Sequence, residues 1–232
     1  MKDPVATGCE PVDELLGGGF ERGAVAQVYG PPAAGKTNIG LSAAVSVALD
    51  GDRALYIDTE GLSIDRFRDV ISGRADEHVE TVAGRIMISE AYDFGDQRDL
   101  VRDAEEVAEE VELIVLDSAT GYYRIERGTE TAEQAGDTLR DVANQVTHLL
   151  SLARKHDIAV VLTNQVFTDP ETDRARPLGG HTLEHWTSVI LRVDRFRGGN
   201  RRATLEKHRS IATGDTATFQ ITDTGIEDAE DR

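Results

Sequence analysis

The run Ala24-Val25-Ala26-Gln27-Val28-Tyr29 leads directly into Gly30-Pro31-Pro32-Ala33-Ala34-Gly35-Lys36-Thr37, and a helix-forming stretch then continues from Thr37 to Leu49. How this segment is read decides how the rest of the chain is read. Its first six residues are short, largely apolar and unalternating, the pattern of a strand buried on both faces. The next eight match the G-x-x-x-x-G-K-[ST] spacing of a phosphate-binding loop, in the required place between a strand and a helix. Phosphate oxygens need many donors at close range, so the backbone must curl with its amides inward, and Gly35 permits the approach. The following helix contributes the positive end of its dipole. On this reading Gly30, Pro31, Pro32, Ala33, Ala34 and Gly35 form the cradle. Lys36 reaches the β and γ phosphates of ATP, and the Thr37 hydroxyl ligates Mg²⁺. The competing reading is a turn that binds nothing.

Similar apolar runs follow at Ala54 to Ile57, Arg85 to Ile88, Leu113 to Leu116 and Ile158 to Leu162. Between them lie helical stretches at Ser63 to Ile71, Asp96 to Glu110 and Thr131 to His156. This alternation predicts an α/β fold with a mostly parallel central sheet flanked by helices. Beyond Trp186 the runs Val189 to Val193, Arg202 to Glu206 and Thr216 to Ile221 are separated by Gly-containing turns, which predicts an antiparallel hairpin extension at the C-terminal end. Asp223 to Arg232 reads as an acidic, frayed tail. With no internal repeat and no linker, residues 1–232 are expected to form a single domain. Asp96 to Glu112 carries eight carboxylates against two arginines, with Leu100, Ala104, Val107, Ala108 and Val111 as an apolar stripe. It reads as one helix with a solvated face.

A nucleotide loop needs a carboxylate at the end of a neighbouring strand. Leu113-Ile114-Val115-Leu116-Asp117-Ser118 supplies one in Asp117, about 80 residues after the loop. Another strand end, Tyr56-Ile57-Asp58-Thr59-Glu60-Gly61, offers Asp58 and Glu60 as acceptors able to orient and deprotonate water. Spacing alone does not choose between them, and a helix N-cap role for Asp58 or Thr59 competes.

The 232 residues include 43 acids against 25 Lys and Arg, giving a net charge of −18, and Arg outnumbers Lys 21 to 4. Such a balance argues against bulk attraction to nucleic acid or to anionic membrane. It fits a surface solvated for concentrated salt, where a Debye length of ~3 Å at 1 M screens self-repulsion. No run approaches the ~18 apolar residues of a membrane span, and the start lacks an apolar leader segment, so a soluble, cytoplasmic protein is expected. The lone cysteine, Cys9, reads as a small packed side chain in a reducing compartment.

Further motifs occur in order along nearly the whole chain. Thr7-Gly8-Cys9-Glu10-Pro11-Val12-Asp13-Glu14-Leu15-Leu16-Gly17-Gly18-Gly19-Phe20 precedes the phosphate loop. Asp58-Thr59-Glu60-Gly61, Asp117-Ser118, Thr163-Asn164-Gln165-Val166, Arg176-Pro177-Leu178-Gly179-Gly180-His181 and Phe219 to Asp228 follow it. Together they resemble the RecA/RadA recombinase family, and most of all its short archaeal members, which lack RadA's N-terminal helical domain. The resemblance implies a RecA-like core that binds ATP and Mg²⁺, with Glu60 activating water and Asp117 supporting the metal. It implies that Arg66 stacks on adenine and that Gln165 senses the γ phosphate. Lys207-His208-Arg209 resembles the Lys-x-Lys by which bacterial RecA reaches a neighbouring subunit's phosphates, which would place Lys207 and Arg209 at an interface between copies. The implied function is weak Mg²⁺-dependent ATPase activity and binding of single-stranded or branched DNA, as an accessory to RadA without strand exchange of its own. A KaiC-like signalling ATPase and a non-hydrolysing, ATP-switched interaction protein are the alternatives.

Arg192 to Arg209 holds seven cations against two acids, a local net of +5. This is the electrostatic footprint of phosphate binding, although a salt-bridged hairpin would look the same. Two segments match the family's DNA loops: Tyr122 to Gly128, where aromatics and cations together suit stacked single-stranded bases, and Thr168 to Leu183. The candidate DNA contacts are Tyr123, Arg124, Arg127, Arg174, Arg176, Arg195, Arg197, Arg201 and Arg202.

Overall fold

The computed structural model describes residues 2–75, 78–127, 132–169 and 174–229. Five strands, β1 (Ala24–Tyr29), β2 (Ala54–Asp58), β3 (Ile86–Glu90), β4 (Leu113–Asp117) and β5 (Ala159–Asn164), run parallel. A short antiparallel ribbon, β6 (Val166–Asp169) with β7 (Arg174–Pro177), stands apart from the main sheet. Next come β8 (Val189–Arg195), parallel to β1, and then β9 (Arg201–Lys207), β10 (Thr216–Thr222) and β11 (Gly225–Asp228), each antiparallel to the strand before it. The nine-stranded order is β11-β10-β9-β8-β1-β5-β4-β2-β3.

Period-two alternation sorts the strand residues onto two faces. Ala26 and Val28 of β1, Leu113 and Val115 of β4, and Ala159 and Val161 of β5 enter one core. Helices α1 (Glu10–Leu16), α2 (Lys36–Leu49), α3 (Ile64–Ser72) and α4 (Val79–Ala83) cover this face. Val25, Ile114, Leu116, Val160 and Leu162 enter the opposite core, beneath α5 (Phe94–Asp103), α6 (Gly121–Arg127), α7 (Ala132–His156) and α8 (Gly180–Trp186). Asp117 lies two residues beyond Val115 and Thr163 two beyond Val161, so both project to the α2 face. Their place beside the phosphate loop follows from strand parity. Cys9 is buried, and burial pushes its thiol up to about 12.

Two expectations are corrected. The acidic stretch is not one helix: α5 ends at Asp103, and a 3₁₀ turn at Ala104–Glu106 follows. Glu105, Glu106, Glu109 and Glu110 would crowd carboxylates at the negative end of a longer helix, which its dipole opposes. Nor is the chain frayed from Asp223. A two-residue turn at Asp223 and Thr224 returns it as β11, which buries Ile226.

Among the described residues, no helix is long and apolar enough to cross a membrane.

Candidate nucleotide-binding site

The loop after β1 holds its shape through close packing at two glycines. A Cβ on Gly30 would lie 2.0 Å from the Val193 carbonyl oxygen, so only glycine lets β8 approach there. Gly35, at φ 109°, starts α2 in the left-handed region that favours glycine. Around the loop lies a cavity of about 340 Å³, lined by Pro32, Ala33, Gly35, Lys36, Thr37, Asn38, Glu60, Arg124 and Gln165. Gly30, Pro31 and Ala34 form the loop's inner turn, with the Ala34 amide donating to the Pro31 carbonyl at 3.2 Å.

Lys36 is buried and its ammonium donates to the carbonyls of Gly30 (3.1 Å) and Pro31 (3.2 Å). Burial lowers its pKa, against the carboxylates of Glu60 and Asp117, which raise it. These partners are neutral oxygens, so the cation is hydrogen-bonded without being neutralised by direct contact with an acid.

Asp117 is 2 % exposed. Tyr56 donates to its Oδ2 at 2.7 Å, Thr163 donates to its Oδ1, and the Thr37 hydroxyl stands near enough to favour the charged carboxylate. Burial raises its pKa, and these hydroxyl hydrogen bonds act the other way. One neutral hydroxyl and one carboxylate, both hard oxygen donors, suit Mg²⁺. Among the described residues no group of three or more His, Cys, Asp or Glu could hold a metal ion. The arrangement therefore fits a cation held partly by substrate phosphates rather than by a protein cage.

Asp58 and Glu60 divide clearly. Asp58 is buried, and its carboxylate accepts the amides of Glu60, Gly61 and Leu62, which shapes the loop after β2. It caps no helix, because α3 is capped by the Ser63 side chain. Glu60 is exposed to the cavity, and its Oε1 accepts from Ser118 Oγ at 2.7 Å and from Gln165 Nε2 at 3.0 Å.

Arg66 is not brought to the cavity. Its guanidinium donates to Asn38 Oδ1 and to the carbonyls of Thr222, Asp223 and Gly225, fastening the β10–β11 turn to α2. Asn38, its partner, lines the cavity in its place.

Of the first DNA segment, Tyr123 is 4 % exposed and packed in the core under α7. It cannot stack on bases, which corrects the sequence expectation. Tyr122 donates to the Ala91 carbonyl. Arg124 turns into the cavity and donates to Gln165 Oε1 at 2.8 Å. The side chains of Arg127 and Arg174 lie outside the described residues, and Arg176 is half-buried on β7 opposite Phe167.

In the Arg192 to Arg209 stretch of β8 and β9, Arg192 pairs with Asp194 at 2.9 Å and Arg209 with Glu21 at 2.7 Å. Arg195 donates to the Pro32 carbonyl at 3.3 Å, and Arg201 to the carbonyls of Gly199 and Asn200. Arg202 stacks over Phe196, 5.0 Å from the ring centroid. The hairpin tip presents Phe196, 39 % exposed, beside an exposed Arg197. Phe196 was missed in the sequence reading, although an apolar aromatic within a run of arginines was a visible signal. Lys207 and Arg209 part company: β9 ends at Lys207, whose ammonium donates to the Glu184 carbonyl in a separate cleft. They do not form the same-sided pair that a Lys-x-Lys strand would present.

Residues 4–229 match the family model described as Rad51. The chain belongs to the Rad51 family. It is 59 % identical over 225 residues to a protein of Halobacterium salinarum named "DNA repair and recombination protein RadB", with 96 % of this chain and 94 % of that one covered. It is 43 % identical to a protein of the same name from Methanococcoides burtonii, with 97 % and 98 % covered. A solved structure, "Crystal structure of the RadB recombinase", superposes with a TM-score of 0.83 at 37 % identity, covering 97 % of this chain and all of that one. The fold is therefore RecA-like: a mostly parallel sheet continued by antiparallel strands.

Proposed function

We propose that this chain is an ATP-binding protein of DNA repair and homologous recombination, one RecA-like core that hydrolyses ATP weakly and assists a RadA recombinase in the cytoplasm. The observation that carries the nucleotide reading is the convergence of Lys36, Thr37, Glu60 and Gln165 on one cavity, with Asp117 behind Thr37. Lys36 offers an ammonium whose bonds to two carbonyls are exchanged for stronger, charge-assisted bonds to phosphate. The Thr37 hydroxyl, backed by Asp117, would hold Mg²⁺, which when bound neutralises phosphate charge. Glu60 Oε1 is an exposed acceptor fixed by Ser118 and Gln165, able to orient a water and take its proton. Asn38 and the loop that Arg66 fastens form the side on which a base would rest.

DNA binding is assigned to the hairpin tip rather than to the first segment. Phe196 gives a stacking face, and Arg195, Arg197 and Arg202 are not paired with a carboxylate among the described residues. The names of these relatives support the recombination setting.

The test is purified protein in molar KCl, assayed for nucleotide binding and ATP turnover with single-stranded DNA and RadA, each alone and together. Lys36→Ala should lose nucleotide binding, and Glu60→Gln should keep binding and lose turnover. Robust strand exchange by this chain alone would sink the accessory role. Repair activity that survives Glu60→Gln but not Lys36→Ala would favour an ATP-switched interaction protein.

A further inference from the structure

We propose that Arg124 is a ligand of the terminal phosphate and sets a preference for nucleoside triphosphate over diphosphate. The proposal rests on the nucleotide reading of the cavity given above.

Arg124 belongs to α6, which opens four residues after Asp117 at the end of β4. Side chains on a helix lean toward its N-terminus. That lean aims Arg124 back over the carboxyl ends of β4 and β5, and it lines the cavity together with Lys36, Glu60 and Gln165. Its Nη1 lies 2.8 Å from Gln165 Oε1, Gln165 Nε2 lies 3.0 Å from Glu60 Oε1, and Ser118 Oγ lies 2.7 Å from the same oxygen. One hydrogen-bonded chain thus links the end of β4, the loop after β2, the end of β5 and α6 across the cavity.

The charge count decides what Arg124 can do there. Among the described residues its side-chain partner is an amide oxygen and no carboxylate pairs with it, so the guanidinium is a cation beside a site suited to anions. Its planar fork matches phosphate oxygens bidentately, and an anionic acceptor adds a Coulombic attraction that the amide oxygen lacks. The loop amides would hold the phosphates that a diphosphate and a triphosphate share, and Lys36 would reach both the shared β phosphate and the γ phosphate. A third phosphate extends toward Glu60 and Gln165, the wall to which Arg124 is attached. The guanidinium would then exchange Gln165 Oε1 for a phosphate oxygen, and only a triphosphate offers one there.

The experiment titrates the full chain, in molar KCl with Mg²⁺, with ADP and with the non-hydrolysable analogue adenylyl-imidodiphosphate. Arg124→Gln should weaken triphosphate binding by about 10- to 100-fold and leave ADP within about 2-fold. Arg124→Lys should recover part of the loss, because it keeps the charge and gives up the fork. Lys36→Ala separates the two readings. If it binds both nucleotides like the parent chain, the nucleotide reading of the cavity falls. If it loses both while Arg124→Gln and Arg124→Lys keep the parent preference, only the Arg124 proposal is overturned. Equal weakening of both nucleotides by Arg124→Gln also overturns it, as does a loss confined to single-stranded DNA affinity.

Discussion

The nucleotide cavity and the β8–β9 hairpin are both rich in cations, and they hold those cations differently. In the cavity, Lys36 and Arg124 are hydrogen-bonded to carbonyl and amide oxygens, which fix position and leave the charge in place. In the hairpin, Arg192 and Arg209 meet the carboxylates of Asp194 and Glu21, which fix position and remove most of the field. Arg195, Arg201 and Arg202 follow the cavity's pattern, held by carbonyls or by an aromatic face. The lesson is that a count of cations overstates a binding surface, whereas a count of cations on neutral partners identifies it. The +5 of the Arg192 to Arg209 stretch already sets Asp194 against one arginine, and Glu21, from outside the stretch, offsets Arg209; Arg195 and Arg197 stand at the end nearest the phosphate loop.

The largest effect expected from this contrast is on nucleotide binding. Lys36→Ala removes the buried ammonium and should lower ATP affinity at least about 100-fold, the equivalent of two charge-assisted bonds. Isothermal titration would measure it. Phe196→Ala combined with Arg197→Gln should leave the same affinity within about 3-fold, because neither residue lines the cavity. If the hairpin variant matched Lys36→Ala, the two regions would be one site and the distinction would collapse.

Tyr123→Ala comes next, as an effect on stability. The ring is buried under α7, and its removal should cost about 3 kcal/mol in denaturant unfolding. Tyr123→Phe should bind single-stranded DNA like the parent chain. A normal stability for Tyr123→Ala with lost DNA binding would restore the first segment as a base-stacking surface.

That residue marks where the sequence stops being legible. The phosphate loop could be read because its motif specifies backbone shape, and Asp117 because strand parity carries it to the α2 face. Tyr122 and Tyr123 are neighbours of one type on a helix of only seven residues, too short for any period to show which faces inward. Packing against α7 makes that choice, and α7 is remote in the sequence. Arg66 shows the same limit: its partners Thr222, Asp223 and Gly225 come from the far end of the chain, and a turn read as frayed supplies them. Arg209 finds Glu21 across a similar gap. Local patterns settled β1 to β5 and β8 to β10 but not β6, β7 or β11, and nonlocal contacts settled which cations are paired.

Nucleotide affinity should also depend on pH through Lys36. Anionic phosphate requires the charged ammonium, and burial has lowered its pKa from the ordinary 10.5. Affinity should therefore decline as pH rises, with a midpoint below 10.5 in the unliganded protein. Affinity that stays flat up to that value would mean the ammonium is not desolvated as its surroundings indicate.

The smallest effect sharpens the comparison most. Arg192→Gln and Arg197→Gln each remove one charge from the same hairpin, so a field argument treats them alike. A contact argument does not, because Arg192 already meets Asp194 while Arg197 stands exposed at the tip. Salt separates the two arguments. At 1 M KCl the Debye length is ~3 Å, so only groups touching a phosphate count, whereas at 0.1 M it is ~10 Å and neighbours count as well. Arg197→Gln should lower the slope of log affinity against log salt by roughly 0.7, one phosphate contact, and so weaken single-stranded DNA binding about 3-fold at 1 M and about 15-fold at 0.1 M. Arg192→Gln should be indistinguishable from the parent at 1 M and about 2-fold weaker at 0.1 M. Equal losses for both at 1 M would show that DNA displaces Asp194 from Arg192, and that the carboxylate pairing does not divide the stretch.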